Sequence, residues 1–291
     1  MNKAPSIVFF GTSDFSVRVL SALKEKGILP SLVVTAPDKP VGRKQTVTPP
    51  PVKVWAQEHK ISFLQPETLK GDFAEKLKGS GGASGWDLFI VASYGKIIPS
   101  SVLSLPRHHT LNIHPSLLPK FRGASPIETA IIEGEKTGVT IMEVDEQMDH
   151  GPVVSQKELV MEWPQNYQTA SDALARLGGE LLARVIPDWI SGTVKGIIQN
   201  HDEATFTKKI VTEDGMVDLS ENALKNWKKF LAYAKSPGAY FFTERNGKKI
   251  RVRITKAELK NGEFIIHRVT PEGKKEMEYS DFKRGEKKGE I

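Results

Sequence analysis

Two rhythms of apolar residues alternate along the first two-thirds of the chain. Short apolar runs at 6–10, 32–36, 61–65, 86–93, 137–144 and 153–160, and an alternating one at 109–114, predict strands. Between them lie stretches with apolar residues three or four apart, which predict helices from Asp14 to about Lys26 and over 52–59, 72–78 and 125–133. A long helix follows at 166–192, with Leu174, Leu177, Leu181, Leu182 and Val185 on one face and Pro187 expected to bend or end it. Strands alternating with helices imply an α/β domain with a Rossmann-like, mostly parallel sheet. The run at 86–93 reads as its buried centre, and 153–160 as an antiparallel edge. Beyond residue 206 the rhythm changes. A helix over 221–234 precedes strands at 240–243, 249–257, 263–269 and 275–279, which suits a small β-barrel of the OB type. The expected organisation is a catalytic domain over 1–192, a linker over 193–206 and a carboxyl-terminal domain over 207–291.

Charge sharpens this division. The 291 residues carry a net charge of +6, and residues 205–291 hold 20 Lys and Arg against 13 Asp and Glu. The excess positive charge therefore lies in the carboxyl-terminal part, where Ile250-Arg-Val-Arg-Ile254 puts basic residues on one strand face. That suits a polyanion-binding appendage on a neutral catalytic domain. The absence of cysteine removes disulfides, thiolate catalysis and cysteine metal sites. The apolar start at 7–10 is too short for a signal peptide and no stretch approaches a membrane span, so a cytoplasmic protein is expected.

Candidate chemistry concentrates at one strand end. In the run Leu111-Asn-Ile-His-Pro-Ser-Leu-Leu-Pro-Lys-Phe-Arg-Gly-Ala-Ser-Pro-Ile127, Asn112 and His114 are two residues apart and share a strand face. Pro115 and Pro119 stop the strand and stiffen the loop, so an amide and an imidazole reach the sheet's carboxyl edge, where ligands bind in open α/β sheets. Such a pair can stabilise an oxyanion, although Asn-x-His alone more often marks a structural histidine. Asp149, before Gly151-Pro152, reads from its residues as a turn former. Gly11-Thr-Ser-Asp14 follows the first strand without the spaced glycines of a dinucleotide or P-loop fingerprint, and Ser13 or Asp14 can cap the next helix. The long loop at 37–51 carries Lys39, Arg43 and Lys44 among prolines, and no histidine spacing suggests a metal.

The 111–127 run resembles the signature of the formyltetrahydrofolate-dependent formyltransferases. Thr137-Gly-Val-Thr-Ile-Met142 with Met148-Asp-His-Gly-Pro152 extends the likeness, and the Phe-x-Gly-Thr opening, the 37–51 loop and Lys-Ser-Pro-Gly-Ala-Tyr240 resemble its transfer-RNA-directed branch. The resemblance implies that Asn112, His114 and Asp149 are catalytic. It assigns Asn112 to the oxyanion, His114 as a cationic second donor, and Asp149 to setting that charge and helping to take a proton from the attacking amine. It further implies that Gly95, Lys96, Ile97 and Ile98, with Ser116, Leu117, Leu118 and Pro119, bind the folate. Lys39, Arg43 and Lys44 would contact transfer RNA. The expected formyl donor is 10-formyltetrahydrofolate, without metal, and the acceptor is the methionine amine of initiator methionyl-tRNA. Neither DNA nor membrane is an expected partner, and a monomer is expected. Measured against that family, the terminal barrel is shortened. Two rival readings are the same chemistry on a small amine such as an amino-sugar nucleotide, and a folate- or RNA-binding relative without catalysis.

Overall fold

The computed structural model describes residues 4–42, 45–245 and 247–287. It divides into two units: Met1–Gly123 with Thr137–Leu159 and Ser171–Phe206, and Ala124–Lys136 with Val160–Ala170 and Thr207–Ile291. The stretch 193–206, expected as a linker, therefore belongs to the first unit. Its backbone explains this, since Val153 and Ile197 exchange N–H···O bonds of 2.8 Å. The helix expected over 125–133 belongs to the second unit.

The first unit is built on strands β1 (Ile7–Gly11), β2 (Leu32–Val34), β3 (Lys39–Val41), β4 (Thr46–Thr48), β5 (Ser62–Leu64), β6 (Leu88–Ala92), β7 (Thr110–His114), β8 (Arg122–Gly123), β9 (Gly138–Glu143) and β10 (Val153–Glu158). Seven of them form one sheet in the order β10-β9-β7-β6-β1-β2-β5. The five from β7 to β5 are parallel, while β9 runs antiparallel to β7 and β10 antiparallel to β9. Helices α1 (Asp14–Glu25), α2 (Pro51–Glu58), α3 (Phe73–Ser80) and α4 (Ser100–Leu103) connect the parallel strands. The central strands are covered on both faces, so Val8, Phe9, Phe10, Leu88 and Phe89 are all fully buried. That is why these segments read as unbroken apolar runs rather than alternating ones, each large side chain contributing about 1.5–3 kcal/mol.

Strand order reverses between β1 and β6, and polar groups close this switch point. The Thr12 hydroxyl donates to the Tyr94 carbonyl (3.1 Å), Ser13 Oγ to Ser93 Oγ (2.8 Å) and Ser16 Oγ to the Ala92 carbonyl (2.6 Å). Ser13 is the residue that caps α1. The proline-framed loop is not irregular: β3 and β4 pair as a small exposed hairpin, Lys39 opposite Thr48. A two-stranded ribbon leaves one side of each strand unpaired, so Pro40 costs it no ladder bond. Asp38 anchors its base, accepting from Gln65 Nε2 and Lys53 Nζ, both at 2.7 Å.

Helix α5 (Pro126–Glu133) precedes β9, and α6 (Tyr167–Ile190) follows β10. The latter continues through Pro187 to Ile190, and the Pro187 carbonyl accepts the Ser191 N–H at 3.0 Å. Gly178 and Gly179 let it sit tightly: a Cβ there would lie 2.6 Å from Ile113 Cγ2 and 2.6 Å from Ala22 Cβ respectively. The strand that carries the site is thus packed from behind.

The short strand β11 (Phe206–Thr207) precedes the main body of the second unit. There α7 (Ala223–Ala232), capped by Asn222, packs with α5, and Lys228 Nζ donates to the Glu133 carbonyl at 3.1 Å. Strands β12 (Tyr240–Arg245), β13 (Lys248–Lys260), β14 (Glu263–Pro271) and β15 (Met277–Glu278), then α8 (Tyr279–Lys287), complete it. The antiparallel region expected here is present as a meander in sequence order rather than a closed ring of strands. Val252 and Ile254 face its core with Phe241, Val269 and Phe282. Arg251 and Lys249 lie over the rings of Tyr240 and Phe242, at 3.6 Å and 4.5 Å from their centroids. No helix among the described residues is long and apolar enough to cross a membrane.

Candidate active site

Strand β7 delivers Asn112 and His114 to the carboxyl edge of the parallel strands. Asn112 lies opposite Val91 of β6, and His114 opposite Thr140 of β9. Two residues of extended chain separate their α carbons by about 6.6 Å on one face. Asn112 is half-buried and His114 is 4% exposed. The loop after β9 brings Asp149 to His114: Oδ1 lies 3.5 Å from Nδ1. On its other side, His114 Nε2 donates to the Phe121 carbonyl at 2.9 Å. Both ring nitrogens therefore face oxygen atoms, a main-chain carbonyl on one side and a carboxylate on the other. The second carboxylate oxygen, Oδ2, accepts the Gly123 N–H at 2.8 Å.

The backbone at this point is unusual. Phe121, Gly123 and Asp149 all have positive φ, at 61°, 111° and 51°. A side chain in the left-handed region costs about 1–2 kcal/mol, and such conformations persist only where surrounding bonds hold them.

The other expected residues have different surroundings. Ser116 is fully buried, and its hydroxyl donates to the Lys120 carbonyl at 2.6 Å. Leu118 is also buried; its N–H donates to Thr140 Oγ1 (3.1 Å) and its carbonyl accepts from Gln156 Nε2 (2.6 Å). These two shape the loop from within, whereas Leu117 and Pro119 are half-buried. Gly95, with φ 78°, is exposed, and the Ile97 side chain is 87% exposed. Ile98 packs against the core beside β6. Lys96 Nζ donates to the carbonyls of Pro66 (2.7 Å) and Glu67 (2.8 Å), tying this loop to the one after β5. Desolvation, then the charge of Lys39, holds the Lys96 ammonium below the usual lysine range. Beneath it, burial pushes the Tyr94 phenol up to about 12. Lys39 is exposed on β3, and Arg43 and Lys44 lie outside the described residues.

Residues that the sequence did not single out support Asp149. Arg122, 3% exposed, donates from Nε (3.2 Å) and Nη2 (2.7 Å) to Gln199 Oε1. Gln199 Nε2 in turn donates to the carbonyls of Asp149 (3.0 Å) and Gly151 (2.7 Å). Arg122 Nη2 also donates to His201 Nδ1 at 2.9 Å. The His201 ring stacks on His150, with centroids 4.0 Å apart, and His150 Nδ1 bonds Asp145 Oδ2 at 2.7 Å. Partial desolvation, followed by the charges of His150 and Arg122, pushes His201 below the usual histidine value, which leaves Nδ1 free to accept. Arg122 was visible as part of the central run, but nothing in the pattern around Gln199 marked it.

An amide beside an imidazole–carboxylate pair, at the ligand-binding edge of a mostly parallel sheet, defines an enzyme built to act on a carbonyl group. The chain belongs to the formyl transferase family, whose sequence pattern matches residues 5–186. It is 39% identical over 237 residues to the methionyl-tRNA formyltransferase of Halorhodospira halophila, covering 81% of this chain and 75% of that protein. To the methionyl-tRNA formyltransferase of Myxococcus xanthus it is 36% identical over 305 residues, covering 97% and 96%. The solved methionyl-tRNA formyltransferase of Clostridium thermocellum shares the fold, with a TM-score of 0.60 at 16% identity over 92% of this chain and 98% of that one.

Proposed function

We propose that this chain transfers the formyl group of 10-formyltetrahydrofolate to the α-amine of methionine on initiator methionyl-tRNA. The observation that carries the reading is the His114–Asp149 pair held beside Asn112 at the carboxyl edge of β7. Exposed Gly95 and Ile97 at the exit of neighbouring β6 offer open backbone and an apolar side chain to a flat ring, so these residues fit a folate. When bound, the folate supplies an activated formyl carbonyl. In transfer the formyl carbon would bond the methionine nitrogen as its bond to N10 breaks; N10 would keep that bond's electron pair and gain a proton, balancing the one the amine loses.

Asn112 Nδ2 donates to the formyl oxygen as negative charge develops on it. His114, its Nε2 donating to the Phe121 carbonyl and its Nδ1 lying 3.5 Å from Asp149 Oδ1, adds electrostatic stabilisation beside Asn112. Asp149 Oδ1 faces the ring at 3.5 Å, and through water the carboxylate takes the proton that the amine releases, for return to N10. Exposed Lys39 attracts phosphates in a salt-sensitive way, and on the second unit Lys249 and Arg251 of β13 separately offer positive charge.

The test is formyl transfer to charged initiator methionyl-tRNA, wild type beside Asn112→Ala. The variant should lose about 10²–10³ in rate. Absence of transfer by a folded wild type refutes the assignment and directs attention to amino-sugar acceptors.

A further inference from the structure

We infer that Gln199 and Arg122 are positioning residues for transfer, which lock the Asp149 carboxylate in the orientation that meets His114. The inference rests on the reading that Asn112, His114 and Asp149 carry the chemistry. Their bonds close a ring. The Arg122 side chain holds Gln199 Oε1, Gln199 Nε2 holds the main chain at Asp149 and Gly151, and the N–H of Gly123, next to Arg122, holds Asp149 Oδ2. Strand β8 is fixed in turn to the segment carrying Gln199. The Arg122 N–H donates to the Thr205 carbonyl at 2.9 Å, and the Phe121 N–H to Thr205 Oγ1 at 2.8 Å.

Each partner has a separate task. A primary amide could bind with its oxygen and nitrogen exchanged, which would set Oε1 against two carbonyl oxygens. Two guanidinium N–H groups on Oε1 select the other orientation and aim the NH2 at both carbonyls. Those carbonyls flank His150, so the amide clamps the turn that places Asp149 at φ 51°. Arg122 and Gln199 are 3% and 6% exposed, so water cannot take over these bonds. A carboxylate beside an imidazole works only within a narrow range of distance and angle, and a misplacement of about 1 Å can lower a rate about a hundredfold.

The test is Gln199→Glu, which keeps an acceptor for Arg122 but turns a carboxylate oxygen toward the carbonyls of Asp149 and Gly151. We expect kcat for formyl transfer to fall about ten- to a hundredfold, with KM for both substrates within about twofold. In an Asp149→Ala background the same substitution should lower kcat less than about twofold, because the effect passes through Asp149. The 15N resonances of the His114 ring should move toward those of Asp149→Ala. Undiminished kcat, a fully additive loss in the double variant, or an unmoved His114 ring would each overturn the inference. If Gln199→Glu does not fold, Arg122→Lys keeps the charge, loses the fork and answers the same measurements, with unchanged kcat again overturning it. Should the wild type fail to formylate methionyl-tRNA, the transfer reading falls, and the His114 resonances alone decide whether these residues position Asp149.

Discussion

Asp149 sits at φ 51°, where a side chain is strained and glycine is not. Comparing Asp149→Gly with Asp149→Ala isolates that strain, because both remove the carboxylate and both leave the Gly123 N–H without its acceptor. The left-handed conformation costs alanine about 1–2 kcal/mol. Glycine gives back about 0.4–1 kcal/mol through its freer unfolded chain. The glycine variant should therefore be the more stable by about 0.5–1 kcal/mol, reversing the usual order, in which alanine wins by a similar amount. In a chain of this size that is about 2 °C in Tm, resolvable by scanning calorimetry. The two variants should transfer formyl groups at equal rates, each about a hundredfold or more below wild type. An alanine variant that melts above the glycine variant would refute the left-handed turn, and unequal rates would mean that residue 149 acts through more than its carboxylate.

Two further substitutions probe packing and pH. Thr140 Oγ1 accepts from Leu118 N–H and Gln156 Nε2 and donates to the Ser116 carbonyl, all in a fully buried position. Thr140→Val should lower stability by about 2–3 kcal/mol in urea unfolding, and a loss below about 0.5 kcal/mol would contradict this network. Burial pushes the Glu128 carboxyl of α5 up to about 7. A folded value above the unfolded one means stability fully present below about pH 4.5 and lost as pH rises through 7, by about 3 kcal/mol at most. Glu128→Gln should therefore gain about 2 kcal/mol more over wild type at pH 8.5 than at pH 5, and a gap that does not change with pH would contradict the burial.

The sheet was legible because its centre is buried on both faces, which makes 6–10 and 86–93 continuous apolar runs. Asn112 and His114 were legible because strand geometry alone puts alternate residues on one face. The hairpin at 39–48 was hidden by prolines that argue against strands in a larger sheet but not in a two-stranded ribbon. Pro187 is expected to bend or end α6, which nevertheless runs on to Ile190. Gln199 was illegible for a different reason. Its partners are Arg122, Asp149 and Gly151, distant along the chain, and an isolated glutamine in a polar stretch has no periodicity to betray it. Ser116 has a structural partner that the sequence did not reveal, since its buried hydroxyl donates to the Lys120 carbonyl within the loop.

These points converge on Phe121-Arg122-Gly123. The carbonyl of the first accepts from His114, the side chain of the second orients Gln199, and the N–H of the third binds Asp149. Three consecutive residues, Phe121 and the two of β8, thus fix the imidazole and the carboxylate, and two of them do so through the backbone. Gly123 at φ 111° turns its N–H toward the carboxylate in a region that residues with a Cβ rarely adopt. The 111–127 run extends well past Asn112 and His114 for this reason: its second half builds the frame in which the first half can act. Substitutions there should damage transfer more than stability, because the frame's bonds converge on Asp149 and His114 rather than on the apolar core of the sheet.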